Sequence, residues 1–372
     1  MIHFFIGTKA QFIKMAPVIE EVSEHGWDYS LIDTKQHAKT TSELINLFNL
    51  RYPDVVLSNR KENIKKLADA ILWFIKDIIR LVLFRKKIAK SVFQGRGGVC
   101  VVHGDTLTTL LSILYAKRCG LKIVHIESGL RSYDLFNPFP EEIIRLISMK
   151  LSDSLIAPSS QAYNNLVKMG YSSKSVFIKG NTGKDAALKI VQSPLCPDDF
   201  NVLPRKNYVA VTIHRAENIY NYQRMKLLCE AVKYASKDKN VVFVLHDPTQ
   251  IQLLKYNLLG ELQANKNVLC IGLQPYDKFI QLLLNAECVM TDGGSIQEEC
   301  SYFNIPCIVL RSSTERDDGI GKNAILAKYD LNMIKSELNK MKSLKLERPH
   351  PLLERCRPSE KIAELLHKIS QA

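Results

Sequence analysis

The sequence predicts an α/β protein made of two Rossmann-like, doubly wound parallel-sheet domains facing each other across a cleft. Short apolar runs alternate with helix-periodic segments from the first residues to about residue 310, as parallel strands joined by crossover helices require. The series is interrupted once, at Gly180-Asn181-Thr182-Gly183, which reads as a hinge. At 372 residues the chain is long enough to bury two cores of ordinary size. The expected division is residues 1–180, joined by a returning terminal helix over 358–372, and residues 181–357.

In the first half, residues 2–6 (IHFFI) form a buried strand. Gly7-Thr8-Lys9-Ala10-Gln11 then turns into a helix over Phe12–His25, aiming helix amides at any anion bound there. A strand over Tyr29–Asp33 leads through Thr34-Lys35-Gln36-His37 to a helix near Thr41–Phe48. Residues 64–93 read as one helix with a wide apolar face and a basic end at Arg85, Lys86, Lys87 and Lys90. Lys76, Asp77 and Arg80 break its apolar run, so it cannot span a bilayer. It either packs between the sheet and neighbouring helices, or lies on an anionic membrane surface through residues 71–90.

The most informative stretch runs from Val101 to Arg145. A strand ending at Val102 meets the turn His103-Gly104-Asp105-Thr106, followed by a helix over Leu107–Lys117. A second strand, Ile123–Ile126, ends at Glu127-Ser128-Gly129. Asp105 and Glu127 therefore sit just beyond the carboxyl ends of two strands, where open α/β sheets bind ligands. Glu141 and Glu142 follow in a loop anchored by Pro138 and Pro140. Carboxylates gathered in one cleft repel each other, which marks the place as a site. Strands over Leu155–Pro158 and Val176–Lys179, with a helix near Gln161–Met169, complete this half.

The second half repeats the alternation, with strands over Tyr208–Ile213, Val241–Leu245, Val268–Ile271, Cys288–Thr291 and Cys307–Leu310. A terminal helix over Ser359–Ile369 starts at Pro358-Ser359.

Hydrophobic content of 46% and charged content of 24% are those of a soluble globular protein. No charged leader or cleavage site opens the chain, so a cytoplasmic location, peripheral to the inner face of the membrane, is expected. The nine cysteines are scattered without CxxC or Cys/His spacing, which argues against a disulfide framework and against zinc. A net charge of +13 calls for an acidic partner. No zinc-finger or aromatic-basic motif accompanies it, so nucleic acid is not expected as that partner. Phosphate ligands together with a membrane surface account for the charge.

Three further groups end strands of the second half. Thr291-Asp292-Gly293-Gly294-Ser295 closes a strand and opens a helix. Its glycines admit a phosphate, with positive φ expected at Gly294, while Ser295 and the helix amides bind it. Glu298 and Glu299, one turn further, suit ribose hydroxyls. His214-Arg215 and Arg311-Ser312-Ser313-Thr314-Glu315-Arg316 end two other strands, the arginines fitting a pyrophosphate or an ion pair with Glu315.

The motifs HGDT, HIESGLRS, PFPEEIIR, GNTGKDA, TIHRAEN, TDGGSIQEE and TER, in this order, resemble the non-hydrolysing UDP-N-acetylglucosamine 2-epimerase family from Gly7 to about Asn323. The resemblance implies the two-lobed GT-B fold with UDP bound between the lobes. It implies catalytic roles for Asp105, Glu127, Glu141 and His214. It places the nucleotide on Lys14, Arg145, Gly293-Gly294-Ser295 and Glu299; from the residues themselves Lys9, Arg215 and Arg316 are expected as further cations on the substrate. The chain departs from the family pattern at Lys9-Ala10-Gln11, where the family has Arg-Pro-Glu; lysine keeps the charge but loses the bidentate fork. Enzymes of the family acting on diacetamido-uronic acid nucleotides also tend to carry the Gln11-Phe12-Ile13-Lys14 run. The phosphate turn reads GGS rather than SGG, and TERPE becomes Thr314 to Asp318.

The chemistry accounts for the residue types. The C2 hydrogen of an N-acetylhexosamine is not beside a carbonyl, so the C1–O bond must loosen before a carboxylate can take the proton. Elimination yields UDP and a 2-acetamidoglycal, and re-addition with protonation on the other face inverts C2. That needs acid/base groups and cationic support for departing pyrophosphate, but neither a metal nor a nicotinamide. The expected activity is thus a UDP-GlcNAc or closely related 2-epimerase supplying surface polysaccharide, and the expected assembly is a homodimer. The rivals are a glycosyltransferase of the same fold with a membrane-bound acceptor, which the basic helix favours, and a non-catalytic UDP-sugar sensor.

Overall fold

The computed structural model of the chain describes residues 1–36, 41–58, 67–135, 139–192, 208–341 and 357–371. It divides into two compact units, Met1–Ala186 with Arg355–Ala372, and Ala187–Glu354.

The first unit contains strands β1 (Ile2–Ile6), β2 (Tyr29–Asp33), β3 (Val55–Val56), β4 (Val99–His103), β5 (Lys122–Ile126), β6 (Ser154–Ala157) and β7 (Ser175–Phe177). They form one parallel sheet in the order β3-β2-β1-β4-β5-β6-β7. Every residue of β1, β2 and β4 is buried, because helices cover both faces of the sheet. Those strands therefore read as continuous apolar runs rather than as an alternation. The polar residues in these strands, His3, Ser30, Asp33 and His103, are buried too, the His3 ring edge-on to Phe93 at 5.2 Å and 84°.

The second unit contains β8 (Tyr208–Thr212), β9 (Asn240–Leu245), β10 (Val268–Gly272), β11 (Ala286–Thr291), β12 (Cys307–Val309) and β13 (Ala324–Leu326). These too are all parallel, in the order β10-β9-β8-β11-β12-β13. In both units the strand order reverses beside the first strand, between β1 and β4 and between β8 and β11. Crossovers leave in opposite directions there, opening the crevice at the carboxyl ends where such sheets hold ligands.

The first helix starts at Lys9 rather than Phe12, because Thr8 caps it. Thr8 Oγ1 accepts from Gln11 N, and Gln11 Oε1 accepts from Thr8 N, both at 3.3 Å. The Gln11 amide also donates to His103 O at 2.9 Å, Thr106 Oγ1 at 2.8 Å and Thr109 Oγ1 at 3.0 Å. One side chain thus caps its own helix and ties it to the turn after β4. The terminal helix Pro358–Gln371 packs against helix Lys9–Glu24 of the same unit. Trp27 lies flat on His367 at 4.2 Å, and Ser359 N donates to Asp185 Oδ2 at 2.9 Å.

Residues 64–66 and His37 lie outside the described residues. The remainder of the long helix expected over 64–93 is two helices, Leu67–Leu83 and Arg85–Val92, because Phe84 adopts φ −124° and ψ 37°. Trp73, Asp77, Leu81, Ile88 and Val92 are buried, so one face belongs to the core. Leu72, Ile75, Ile79 and Val82 on the other face are exposed. Strands β3 and β13, of two and three residues, were not legible in the sequence because edge strands that short carry no periodicity. Among the described residues no helix is long and apolar enough to cross a membrane.

Gln11→Ala should lower stability by about 1–3 kcal/mol, since it removes the two N–H donors shared among three acceptors and half of a capping box. Urea unfolding checks this, and an unchanged midpoint would show that the first helix is held to the β4 turn by other contacts.

Candidate active site

At the strand reversal of the first unit the carboxyl ends of β4 and β5 present Asp105 and Glu127. Thr106 caps the helix Leu107–Cys119 in a capping box with Thr109, and this pins the turn carrying Asp105. Glu127 itself sits at φ +64°, a left-handed conformation that costs a residue with a Cβ about 1–2 kcal/mol. Its neighbour Gly129 has φ +88°, and a Cβ there would lie 2.2 Å from Ala162 O, so no other residue fits. Glu141 and Glu142 occupy the first turn of helix Glu141–Leu151, not the expected loop. Carboxylates are favoured at that end by the helix dipole. Pro138 lies outside the described residues.

Cations hold Asp105, Glu127 and Glu142. Lys14, buried on the first helix, pairs with Glu127 Oε1, and Asn181 Nδ2 donates to the same oxygen. Glu127 Oε2 lies 3.8 Å from His103 Nε2. Arg145 is 4% exposed and its guanidinium bridges Asp105 Oδ2 and Glu142 Oε2, the latter at 2.5 Å. Glu142 is fully buried; it also pairs with Arg131 and accepts from Ser132 N at 3.1 Å. Burial pushes its carboxyl up, but Arg131, the Ser132 amide and Arg145 outweigh that and leave it below the ordinary range. Behind the turn His125 is enclosed, its Nε2 2.7 Å from Gly104 O, and burial holds its pKa down at about 4. Lys9 is partly buried at the start of the first helix.

In the second unit the organising group is Asp292, fully buried after β11. It accepts from His214 N at 3.0 Å, Arg215 N at 3.0 Å and Asn218 Nδ2 at 2.9 Å. His214 Nδ1 lies 3.3 Å from Asp292 Oδ1, and its ring stacks on His246 at 4.5 Å. Burial lowers the His214 pKa below its ordinary 6.5, against the pull of Asp292, so the imidazole is mainly neutral at neutral pH.

Gly293 caps helix Gly294–Tyr302, and Ser295, half-buried, stands in its first turn. Neither glycine has positive φ, contrary to the expectation for Gly294. Space is what requires them. A Cβ on Gly293 would meet His214 Cε1 at 2.9 Å, and one on Gly294 would meet Arg316 Nε and Glu315 Oε1 at 3.2 Å. Arg316, Arg215 and Arg311 thus gather about a helix amino terminus. Glu315 pairs with Arg311 at 2.8 Å and Arg215 at 3.4 Å. Glu298, expected beside ribose, is instead buried and paired with Arg316 at 3.0 Å, whereas Glu299 follows it on the helix and is also buried.

Residues 20–367 match the family model described as UDP-N-acetylglucosamine 2-epimerase. The chain belongs to the UDP-N-acetylglucosamine 2-epimerase family. A Methanococcus maripaludis enzyme of that name is 33% identical over 350 residues, covering 91% of each chain. One from Methanocaldococcus jannaschii is 31% identical, covering 91% of this chain and 93% of its own. The crystal structure of M. jannaschii UDP-GlcNAc 2-epimerase with UDP-GlcNAc and UDP superposes with a TM-score of 0.85 at 29% identity, covering 99% of both chains. The Neisseria meningitidis enzyme bound to UDP-GlcNAc gives 0.82 at 25% identity, again over 99% of both.

Within this family member, sequence reasoning passed over several groups that the structure brings to the carboxylates. In the sequence Asn181 reads only as part of a hinge, although a polar side chain between two glycines is a signal. Arg131 and the pairing role of Glu142 carried no signal beyond their charge. Asp292 had one: an acid directly between a strand and a glycine pair.

Glu315 offers a pH test. Burial raises its pKa, but Arg311, Arg215 and Arg316 win and bring it to about 2, against an ordinary 4.5. A depressed carboxyl contributes stability that is present above pH 4.5 and is lost as pH falls toward 2. Glu315→Gln should therefore be less stable than the wild type at pH 7 and lose less stability as pH is lowered from 5 to 3. Urea melts across that range check it, and parallel pH profiles would remove Glu315 from the network.

Proposed function

We propose that the chain interconverts UDP-N-acetylglucosamine and UDP-N-acetylmannosamine by inverting C2. The observation that carries the reading is the division of chemistry: cation-held carboxylates stand at the strand reversal of one unit, and arginines gather about a glycine-started helix at that of the other. Family membership supplies the substrate class.

In the forward direction the C1–O bond breaks and its electron pair leaves with UDP. The C2 proton passes to a carboxylate, and the C1–C2 double bond of a 2-acetamidoglycal forms. In the return step a UDP oxygen adds to C1 and a proton is delivered to the opposite face of C2. Asp105, Glu127 and Glu141 are the proton carriers in this reading, and His214, kept neutral, accepts or donates near the leaving oxygen. Lys14 and Asn181 hold Glu127 in place, and Arg145 holds Asp105. The amides of Gly294 and Ser295, with Arg215 and Arg316, stabilise the departing pyrophosphate, where helix dipole and guanidinium charge act together. Lys9 adds positive charge, and Glu299 accepts from ribose hydroxyls.

Incubation with UDP-N-acetylglucosamine in heavy water should place one deuterium at C2, read by mass spectrometry. A glycosyltransferase or a sensor would leave that position unlabelled, and such a result would overturn the reading. Glu127→Gln and Asp105→Asn should each keep UDP binding while exchange falls by about a hundredfold or more.

The nucleotide side has its own test. In Gly294→Val the branched side chain would collide with Arg316 and Glu315 and fill the approach to the helix amides. Titration calorimetry should show UDP binding lost while circular dichroism stays that of the wild type. Unchanged affinity would place the phosphates elsewhere.

A further inference from the structure

Tyr133 stands in a left-handed backbone conformation, φ +57°, in the same loop as Glu127 at +64°. A bulky side chain with a Cβ rarely adopts that conformation, and where it does the surroundings must hold it there. Burial does not hold this one, since Tyr133 is 64% exposed. Two polar contacts do. Its hydroxyl donates to Asn165 Oδ1 at 2.6 Å, and its ring lies beneath the Arg131 guanidinium at 4.7 Å. Asn165, buried on helix Ser160–Lys168, also donates to Gly129 O at 2.9 Å, so one side chain fastens the loop after Glu127 at two points. Arg131 Nη1 donates further to Met169 Sδ at 3.6 Å.

We infer, resting on the reading of Asp105 as a proton carrier, that Tyr133 is a positioning residue for Asp105, acting through Arg131, Glu142 and Arg145. The path is continuous. Stacked on the ring, Arg131 pairs through Nε with Glu142 Oε1. The second oxygen of Glu142 accepts from Ser132 N at 3.1 Å and Arg145 Nη1 at 2.5 Å. Arg145 then reaches Asp105 Oδ2 with its other terminal nitrogen, Nη2. A guanidinium is planar with its donors at fixed angles, so turning one turns whatever it pairs with. Glu142 is fully buried and cannot exchange a protein partner for water. Without the ring, Arg131 swings toward solvent, Glu142 draws more on Arg145, and the hold of Arg145 on Asp105 loosens.

Two other uses of the tyrosine would move different quantities. A ring that touched the sugar would set substrate binding, and a ring that only fastened a loop would set stability.

Tyr133→Asn separates them, because asparagine tolerates the left-handed backbone but carries no ring. In heavy water with UDP-N-acetylglucosamine, kcat for C2 exchange should fall about tenfold while KM, UDP affinity and circular dichroism stay those of the wild type. Tyr133→Phe keeps the ring under Arg131 and loses only the hydrogen bond to Asn165, and it should restore most of the rate. In Arg131→Lys, whose ammonium has neither the flat face nor the Nε donor, adding Tyr133→Asn should cost nothing further. A wild-type kcat in Tyr133→Asn overturns the role, even with a lowered melting temperature. A raised KM at unchanged kcat overturns it too, since the ring would then touch the substrate, as do losses that add in the double variant. Should Asp105→Asn exchange at the wild-type rate, the proton-carrier reading falls and takes this role with it. Should Asp105→Asn be inactive while Tyr133→Asn keeps its rate, the role of Tyr133 alone falls.

Discussion

Repulsion among carboxylates at one sheet edge is the constraint around which the first unit is arranged. Asp105, Glu127 and Glu142 each need a counter-charge, because an ionised carboxylate taken from water without one costs several kcal/mol. The counter-charges come from different elements: Lys14 from the helix after β1, Arg145 from the helix after β5, and Arg131 from the loop before it. Each cation thereby becomes a tie between the segments that end the central strands. The capping boxes at Thr8 and Thr106, and Gln11 joining them, hold those segments close enough for the pairs to form.

The second unit solves the inverse problem. Its buried acid, Asp292, is satisfied mainly by backbone and amide N–H groups, so its charge orients His214 and Arg215 without consuming a guanidinium. Three arginines then surround Glu315 and the start of helix Gly294–Tyr302, and Glu298 pairs with Arg316 while Glu217 lies 3.6 Å from Arg311. Acids held by cations stand at one strand reversal, and a glycine-started helix with three arginines beside it stands at the other. That asymmetry suits a reaction that moves a proton on a sugar while a pyrophosphate leaves.

Net charge and hydropathy are incomplete when read without faces. The basic end of the long apolar segment invites a lipid interpretation, yet a buried Trp73 and Asp77 tie that segment to the core. What remains outside is the apolar stripe of Leu72, Ile75, Ile79 and Val82. The pattern was present in the sequence all along, but only the side on which Trp73 lies shows which residues are outside.

The sequence by itself determined the two parallel-sheet units, since strands covered on both faces must be largely apolar, as β1 and β4 are. It also determined that Asp105, Glu127, His214 and the Gly293-Gly294 pair stand at strand ends, because a strand that stops at a turn places its next residue there whatever surrounds it. Tertiary structure decided the rest. Asn181 reaches Glu127 from 54 positions away, and Arg145 reaches Asp105 from 40, through a strand order that no local pattern encodes. Glu141 and Glu142 join a helix rather than a loop, and Glu298 is claimed by Arg316 rather than left for a ligand. Local propensity and periodicity act over a few residues and are legible one segment at a time. Charge pairing acts through space, so its partners are settled only when the sheet has brought distant segments together.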